Sequence, residues 1–210
     1  MDHGKTQFRR IIKDATGAFW DHPLWSPIVE DGRVVRWENP TWGQQFFAGA
    51  PMPKCSFGKP GDRLYVREAC ALVTVDEYQQ WKFGLDEPSY YAYRADDETK
   101  GQFVEDWRGW TPAVRMPRAA ARIKLEVVSV RAERLQAISE ADAIAEGVKR
   151  VRDACYVFPG FDYDLVGLCH NSPITPFAKL WDHLRGDGSW DDNRWVWVIE
   201  ARVIPFVISQ

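Results

Sequence analysis

At 210 residues, 45% hydrophobic and 27% charged, the chain can bury a core and is not a disordered polypeptide. Its formal charge of −3 and pI near 5.8 argue against a tight, non-specific duplex binder and favour a small ligand or a locally basic cleft. No apolar run reaches the ~18 residues a membrane span needs, and the opening Met1-Asp2-His3 is not a secretory signal, so a cytoplasmic protein without membrane contact is expected.

Residues 1–18 open with Gly4-Lys5-Thr6-Gln7-Phe8-Arg9-Arg10. Residues 19–60 are rich in Trp, Pro and Gly, and 28–37 read as a hairpin turning at Asp31-Gly32. A turn over 57–62 leads into an alternating strand at 63–68, and 90–94 is a second short strand. Residues 95–117 read as a loop-rich excursion holding Trp107 and Trp110. The clearest strand region is 122–135, with Ile123, Leu125 and Val127 inward and then, after a register change, Val128 and Val130.

Two helices follow. Ser139 N-caps the first, Asp142 completes a capping box and Gly147 stops it. Thr175 is the expected N-cap of the second, with Pro176 at its first position, an apolar face of Phe177, Leu180, Trp181 and Leu184, and a stop at Gly186. Residues 195–204 form a closing strand. Short strands with two helices between them predict a mixed α+β, barrel-like fold.

The eleven tryptophans are scattered from Trp20 to Trp197, so most serve packing rather than one stacking platform. Trp42, Trp110 and Trp190 fall in loops, where an indole can stack on a base. Cys55, Cys70, Cys155 and Cys169 form no C-x-x-C pair, so no zinc knuckle is expected. Cys155 with Cys169-His170 is the one metal-capable combination; the preferred reading is four reduced thiols, with no metal and no cofactor. Between residues 115 and 134, Arg115, Arg118, Arg122, Lys124, Arg131 and Arg134 face only Glu126 and Glu133, a basic stretch suited to phosphates or to cross-strand pairs.

The opening segment resembles the G-x-K-T-x-T-x-R signature of ASCH domains, relatives of the PUA-like RNA-binding barrels. The segments 61–68, 116–123, 138–147, 180–182 and 195–200 resemble further blocks of a phage- and prophage-encoded ASCH-like family. The resemblance covers most of the chain outside 19–55, 70–110 and 149–172. It implies an α+β, mostly antiparallel PUA-like barrel of about five or six strands with flanking helices. The whole of 1–210 would be one such domain, with Trp-rich insertions at about 19–55 and 70–110. The family carries a further strand and helix ahead of its signature, so a start at Gly4 implies truncation or a different closure of the barrel.

The resemblance also implies a site. Lys5 and Glu146 would face each other across one cleft, with Phe8, Arg9, Arg10, Arg118, Arg122 and Trp110 as ligand-binding residues. One branch of the superfamily hydrolyses N4-acetylcytidine; its lysine falls on Lys5, its glutamate on Glu146 and its nucleophilic threonine on Phe8. Phenylalanine has no attacking atom, and Thr6 would substitute only if the local backbone moved. The first reading is therefore a module binding single-stranded RNA or a modified nucleobase or nucleoside. The second is an amidohydrolase on N4-acetylcytidine-like nucleosides using Lys5, Glu146 and Thr6 or water. The third is a phage accessory protein that binds a host protein through its Trp-rich insertions.

Overall fold

The structure, a computed structural model, describes residues 5–13, 24–46, 53–74, 89–96, 110–159 and 169–205. Gly4, Trp20, Trp107 and most of the expected excursion at 95–117 lie outside these residues. The described strands are β1 (Gln7–Ile11), β2 (Ser26–Glu30), β3 (Arg33–Asn39), β4 (Gln44–Phe46), β5 (Arg63–Tyr65), β6 (Cys70–Thr74), β7 (Ser89–Tyr93), β8 (Lys124–Arg134), β9 (Lys149–Arg152), β10 (Cys155–Val157) and β11 (Trp195–Ile204). The described helices are α1 (Glu140–Ala145) and α2 (Ile174–Arg185). The fold is α+β and mostly antiparallel, with one sheet in the order β1-β11-β8-β5 and smaller sheets β2-β3-β4, β6-β7 and β9-β10. Among the described residues, no helix is long and apolar enough to cross a membrane.

Contacts divide the chain into two compact units, the first formed by Met1–Arg63 with Glu126–Val203 and the second by Leu64–Leu125 with Ile204–Gln210. In the first unit, β11 is buried at every position from Trp195 to Ile199. Leu135, Ile138, Ala143, Val148, Phe177 and Trp181 close on its Val196 and Val198 to form the core. Burying each such side chain contributes about 1.5–3 kcal/mol. The hairpin β2–β3 turns at Asp31 (φ 49°) and Gly32 (φ 70°), the pair of positive φ angles a two-residue turn needs.

α1 starts as expected. Ser139 Oγ accepts the Asp142 N–H and the Asp142 carboxylate accepts the Ser139 N–H. Gly147, at φ 111°, ends the turn. α2 corrects two expectations. It begins at Ile174, whose N–H donates to Ser172 Oγ at 3.3 Å, so Thr175 is inside the helix rather than its cap. Leu184 is 60% exposed, because the buried stripe ends at Trp181. On β8, Val127 is buried and Val130 half-buried while Val128 is 50% exposed, so Val128 does not turn inward as expected.

In the second unit, β6 and β7 pair and two small clusters form. Cys70, Met116, Ala120 and Ala121 pack with Tyr65, Tyr91 and Tyr93, and Val73 and Ala92 pack with Tyr90 and Trp110. The cysteine reading needs correction at one pair: Cys155 and Cys169 are joined as a disulfide, which leaves neither sulfur as a thiolate for a metal. Their Cα atoms lie 5.0 Å apart, close enough for the bond. Cys55 and Cys70 are buried free thiols.

Candidate functional site

The start of β1 is tied to the end of α1 by backbone. Thr6 N donates to the Ala145 carbonyl at 2.9 Å, and Ala201 N donates to the Thr6 carbonyl at 2.8 Å. This brings Lys5 to the last turn of α1, where Lys5 Nζ meets Glu146 Oε2 at 3.1 Å. The two partners differ in exposure: the Lys5 side chain is 51% accessible, the Glu146 side chain 3%. Gly147 packs beside this pair: a Cβ on it would meet Phe158 and the Lys5 side chain at an ordinary 3.5–3.8 Å, so its φ of 111° and not a lack of space favours glycine.

Beneath this pair lies Arg9, whose side chain is wholly inaccessible. Its Nη1 donates to Glu146 Oε1 at 3.1 Å and to Gln7 Oε1 at 3.2 Å. Its Nη2 donates to Glu133 Oε1 at 2.7 Å and lies 3.5 Å from Asp142 Oδ2. Arg131 extends the network to Glu133, Asp142 and Glu200 at 3.2, 3.0 and 2.7 Å. The cluster therefore holds Lys5, Arg9 and Arg131 against Glu133, Asp142, Glu146 and Glu200, an excess of one negative charge.

The two carboxyls of α1 are pushed in opposite directions. Burial raises the Glu146 pKa, and the pull of Lys5 and Arg9 does not overcome it. Burial also acts on Asp142, but hydrogen bonds from Ser139 and Gln7 and the charge of Arg131 outweigh it, so its pKa falls.

Lys5 and Glu146 thus meet as the resemblance implies. Thr6 is exposed, and no hydroxyl among the described residues hydrogen-bonds Lys5 Nζ. Phe8 sets its ring edge-on against Phe57 at 5.2 Å, and the Arg10 guanidinium sits 5.6 and 5.7 Å from the two ring centroids. Burial and Arg185 lower the Arg10 pKa, while Glu146 pulls it up.

Three expected ligand-binding residues are otherwise engaged. Arg9 is not a rim residue: it is buried, because β1 turns Gln7 and Arg9 inward and Phe8 and Arg10 the other way. Trp110 packs against Val73 and Ala92. Arg122 belongs to an ion-pair cluster of the second unit, bonded to Glu68 at 2.7 and 2.9 Å and to Asp96 at 2.7 and 2.9 Å, and stacked 3.8 Å from the Tyr93 centroid. Its hydrogen bonds to Glu68 lead the causes that raise its pKa, so it stays charged at any working pH. Arg122→Met would leave Glu68 and Asp96 facing a side chain that cannot donate. We expect a loss of about 2–4 kcal/mol from that unit, read as faster amide exchange across β6 and β7. Arg118 is exposed, 6.0 Å from the Tyr65 ring in the same unit. Of the other loop tryptophans, Trp190 packs on Phe177 at 6.1 Å and Trp42 is 61% exposed.

Gln7, Arg131, Glu133 and Glu200 were not expected at the site. Their signal was spacing by two along strands, Gln7 with Arg9 and Arg131 with Glu133, which puts each pair on one face. Comparison with protein-family models, curated proteins and solved structures finds no match for this chain.

Proposed function

We propose that the Lys5–Glu146 site recognises a nucleobase, presented as a nucleoside or in single-stranded RNA. The observation that carries this reading is one buried carboxylate joined to one half-exposed ammonium by two segments 141 residues apart (Lys5 to Glu146). A carboxylate accepts and an ammonium donates, so side by side they match a base edge that presents a donor next to an acceptor, such as N4–H and N3 of cytosine. Lys5 is half-exposed and can swing aside towards solvent, while Arg9 continues to hold the buried Glu146. The excess negative charge below favours a ligand that donates. The finer fold reading, a PUA-like barrel of the ASCH type, is part of the same proposal and is supported by the order of strands, capped helix and closing strand.

The hydrolase reading keeps one supporting observation: a carboxyl with a raised pKa beside a lysine suits proton transfer. Against it stands that no hydroxyl among the described residues is bonded to Lys5.

The test is to titrate cytidine and N4-acetylcytidine into the protein and follow both binding and acetate release. We expect binding that is lost in Lys5→Ala, with no acetate formed. Acetate release abolished by Lys5→Ala would replace binding by hydrolysis, and no binding of either nucleoside would end the reading.

A further inference from the structure

A second site lies in the first unit, away from the residues used above. A cavity of about 460 Å³ is lined by the β2–β3 turn and the loop that precedes β5. That volume is within the range of small-molecule sites. Three cations face it, Arg33, Lys54 and Lys59. Each is exposed, and none has a carboxylate within ion-pair distance among the described residues.

The acids that share the cavity offset these charges only in part. Glu30 is held by Arg36 at 3.0 Å. Asp62 Oδ2 accepts the Lys59 backbone N–H at 2.9 Å and so caps its own turn. Asp31, at the turn itself, and Asp62 both keep their charge in the lining.

Arg33 and Lys54 are directly paired through an antiparallel bridge. Residues opposite each other on such a bridge project to one side, and like charges there repel. Glu30 stands opposite Arg33 in the hairpin but is drawn to Arg36, so the three cations outnumber the two remaining acids, Asp31 and Asp62, by one, and an anion can join them. Val35, two residues along from Arg33, gives the same face an apolar, half-buried patch.

The walls are preorganised. Cys55 N donates to the Gly32 carbonyl at 2.7 Å, Val34 N to Pro53 at 3.2 Å and Gly58 N to Cys55 at 3.2 Å. Gly32 lies so close to the Gly58 carbonyl that a side chain on it would collide with that oxygen. Gly58, at φ 91°, is likewise closed by Asp62. Such a frame holds its cations in place before a ligand arrives, which reduces the ordering cost of binding.

We propose that this cavity binds a phosphate monoester of a small organic molecule, the phosphate between Arg33, Lys54 and Lys59 and the body against Val35. Phosphate carries two charges and several acceptor oxygens, and it suits a bidentate arginine flanked by lysines. This proposal does not rest on the Lys5–Glu146 reading.

The experiment is an NMR and calorimetric titration of the full chain with inorganic phosphate, ribose 5-phosphate and cytidine 5′-monophosphate, with cytidine as the uncharged control. Shifts are expected at the amides of Gly32, Gly58 and Lys59 with all three phosphates and not with cytidine. The organic esters should bind more tightly than inorganic phosphate. The double variant Lys54→Gln/Lys59→Gln should lose ~10-fold or more in affinity for each cation removed. Its unliganded melting temperature should stay level or rise, because repulsion is relieved. Lys5→Ala should retain phosphate binding. Shifts centred elsewhere with inorganic phosphate or ribose 5-phosphate, unchanged affinity in the double variant, equal affinity for phosphate and ribose 5-phosphate, or loss of phosphate binding in Lys5→Ala would each overturn the proposal.

Discussion

Replacing Arg9 by methionine is expected to lower the free energy of unfolding by about 3–5 kcal/mol, the cost of breaking a buried ion pair by removing one partner. Arg9 is inaccessible and bonds Glu133 at 2.7 Å and Glu146 at 3.1 Å, with Asp142 at 3.5 Å. Methionine fills much of the space and keeps contact with Phe177, so packing loss is small beside the electrostatic loss. Of their ion-pair partners, Glu146 would then keep Lys5, and Glu133 and Asp142 would keep Arg131. Urea denaturation at neutral pH reads the effect as a lower midpoint with an unchanged slope. The double variant Arg9→Met/Glu146→Gln should recover part of the loss, since it removes one of the stranded charges. A loss under about 1 kcal/mol would mean that the carboxylates find other partners or water when Arg9 is gone.

The legible parts of this fold were those where hydrophobic period and turn chemistry agree. The first half of β11, Trp195 to Ile199, is continuous in apolar residues because both its faces are covered, and the Asp31-Gly32 turn and the Ser139 capping box each carry their own local signal. β1 was hidden for the opposite reason. Its inward residues are Gln7 and Arg9 and an outward one is Phe8, so the usual reading of a strand assigns the faces backwards. The polar network that buries Arg9 is built from residues of β1, β8, α1 and β11, and no single window of sequence contains it. β9 has four exposed residues, Lys149 to Arg152, and offers no apolar alternation to read.

The site was legible in part. Lys5 and Glu146 were matched through resemblance to two distant segments, and they do meet. Arg9 and Arg122 looked like phosphate ligands because sequence shows charge and not its partners. Glu133 with Asp142 and Glu68 with Asp96 claim these arginines only after folding. The Cys155–Cys169 bond was equally out of reach, since their separation of 14 residues matches no pairing motif.

Glu146→Gln is expected to separate function from stability, and its effect should be the reverse of Arg9→Met. Burial raises the Glu146 pKa in the folded protein. A carboxyl whose folded pKa exceeds its unfolded one contributes stability that is fully present below the unfolded pKa and is lost as pH rises through the folded value. Ionising Glu146 in the folded protein therefore costs stability, in spite of Lys5 and Arg9. Glutamine imitates the protonated form, so the variant should match or exceed the parent in stability at neutral pH. Its stability should also vary less as pH climbs from the ordinary carboxyl range towards neutrality. Asp142 makes the contrast within the same helix. Its pKa is lowered, so its contribution is present above the unfolded pKa and is lost as pH falls through the folded one, and Asp142→Asn should destabilise. Nucleoside binding should respond the other way, because glutamine offers a neutral acceptor in place of a charged one and no ion pair to Lys5. We expect a ~10–100-fold rise in Kd for Glu146→Gln, the loss of one charge-assisted hydrogen bond or slightly more. Paired measurements of urea stability across pH and of nucleoside affinity test this. Affinity lost together with several kcal/mol of stability would make Glu146 a structural partner of Arg9 and not a recognition group.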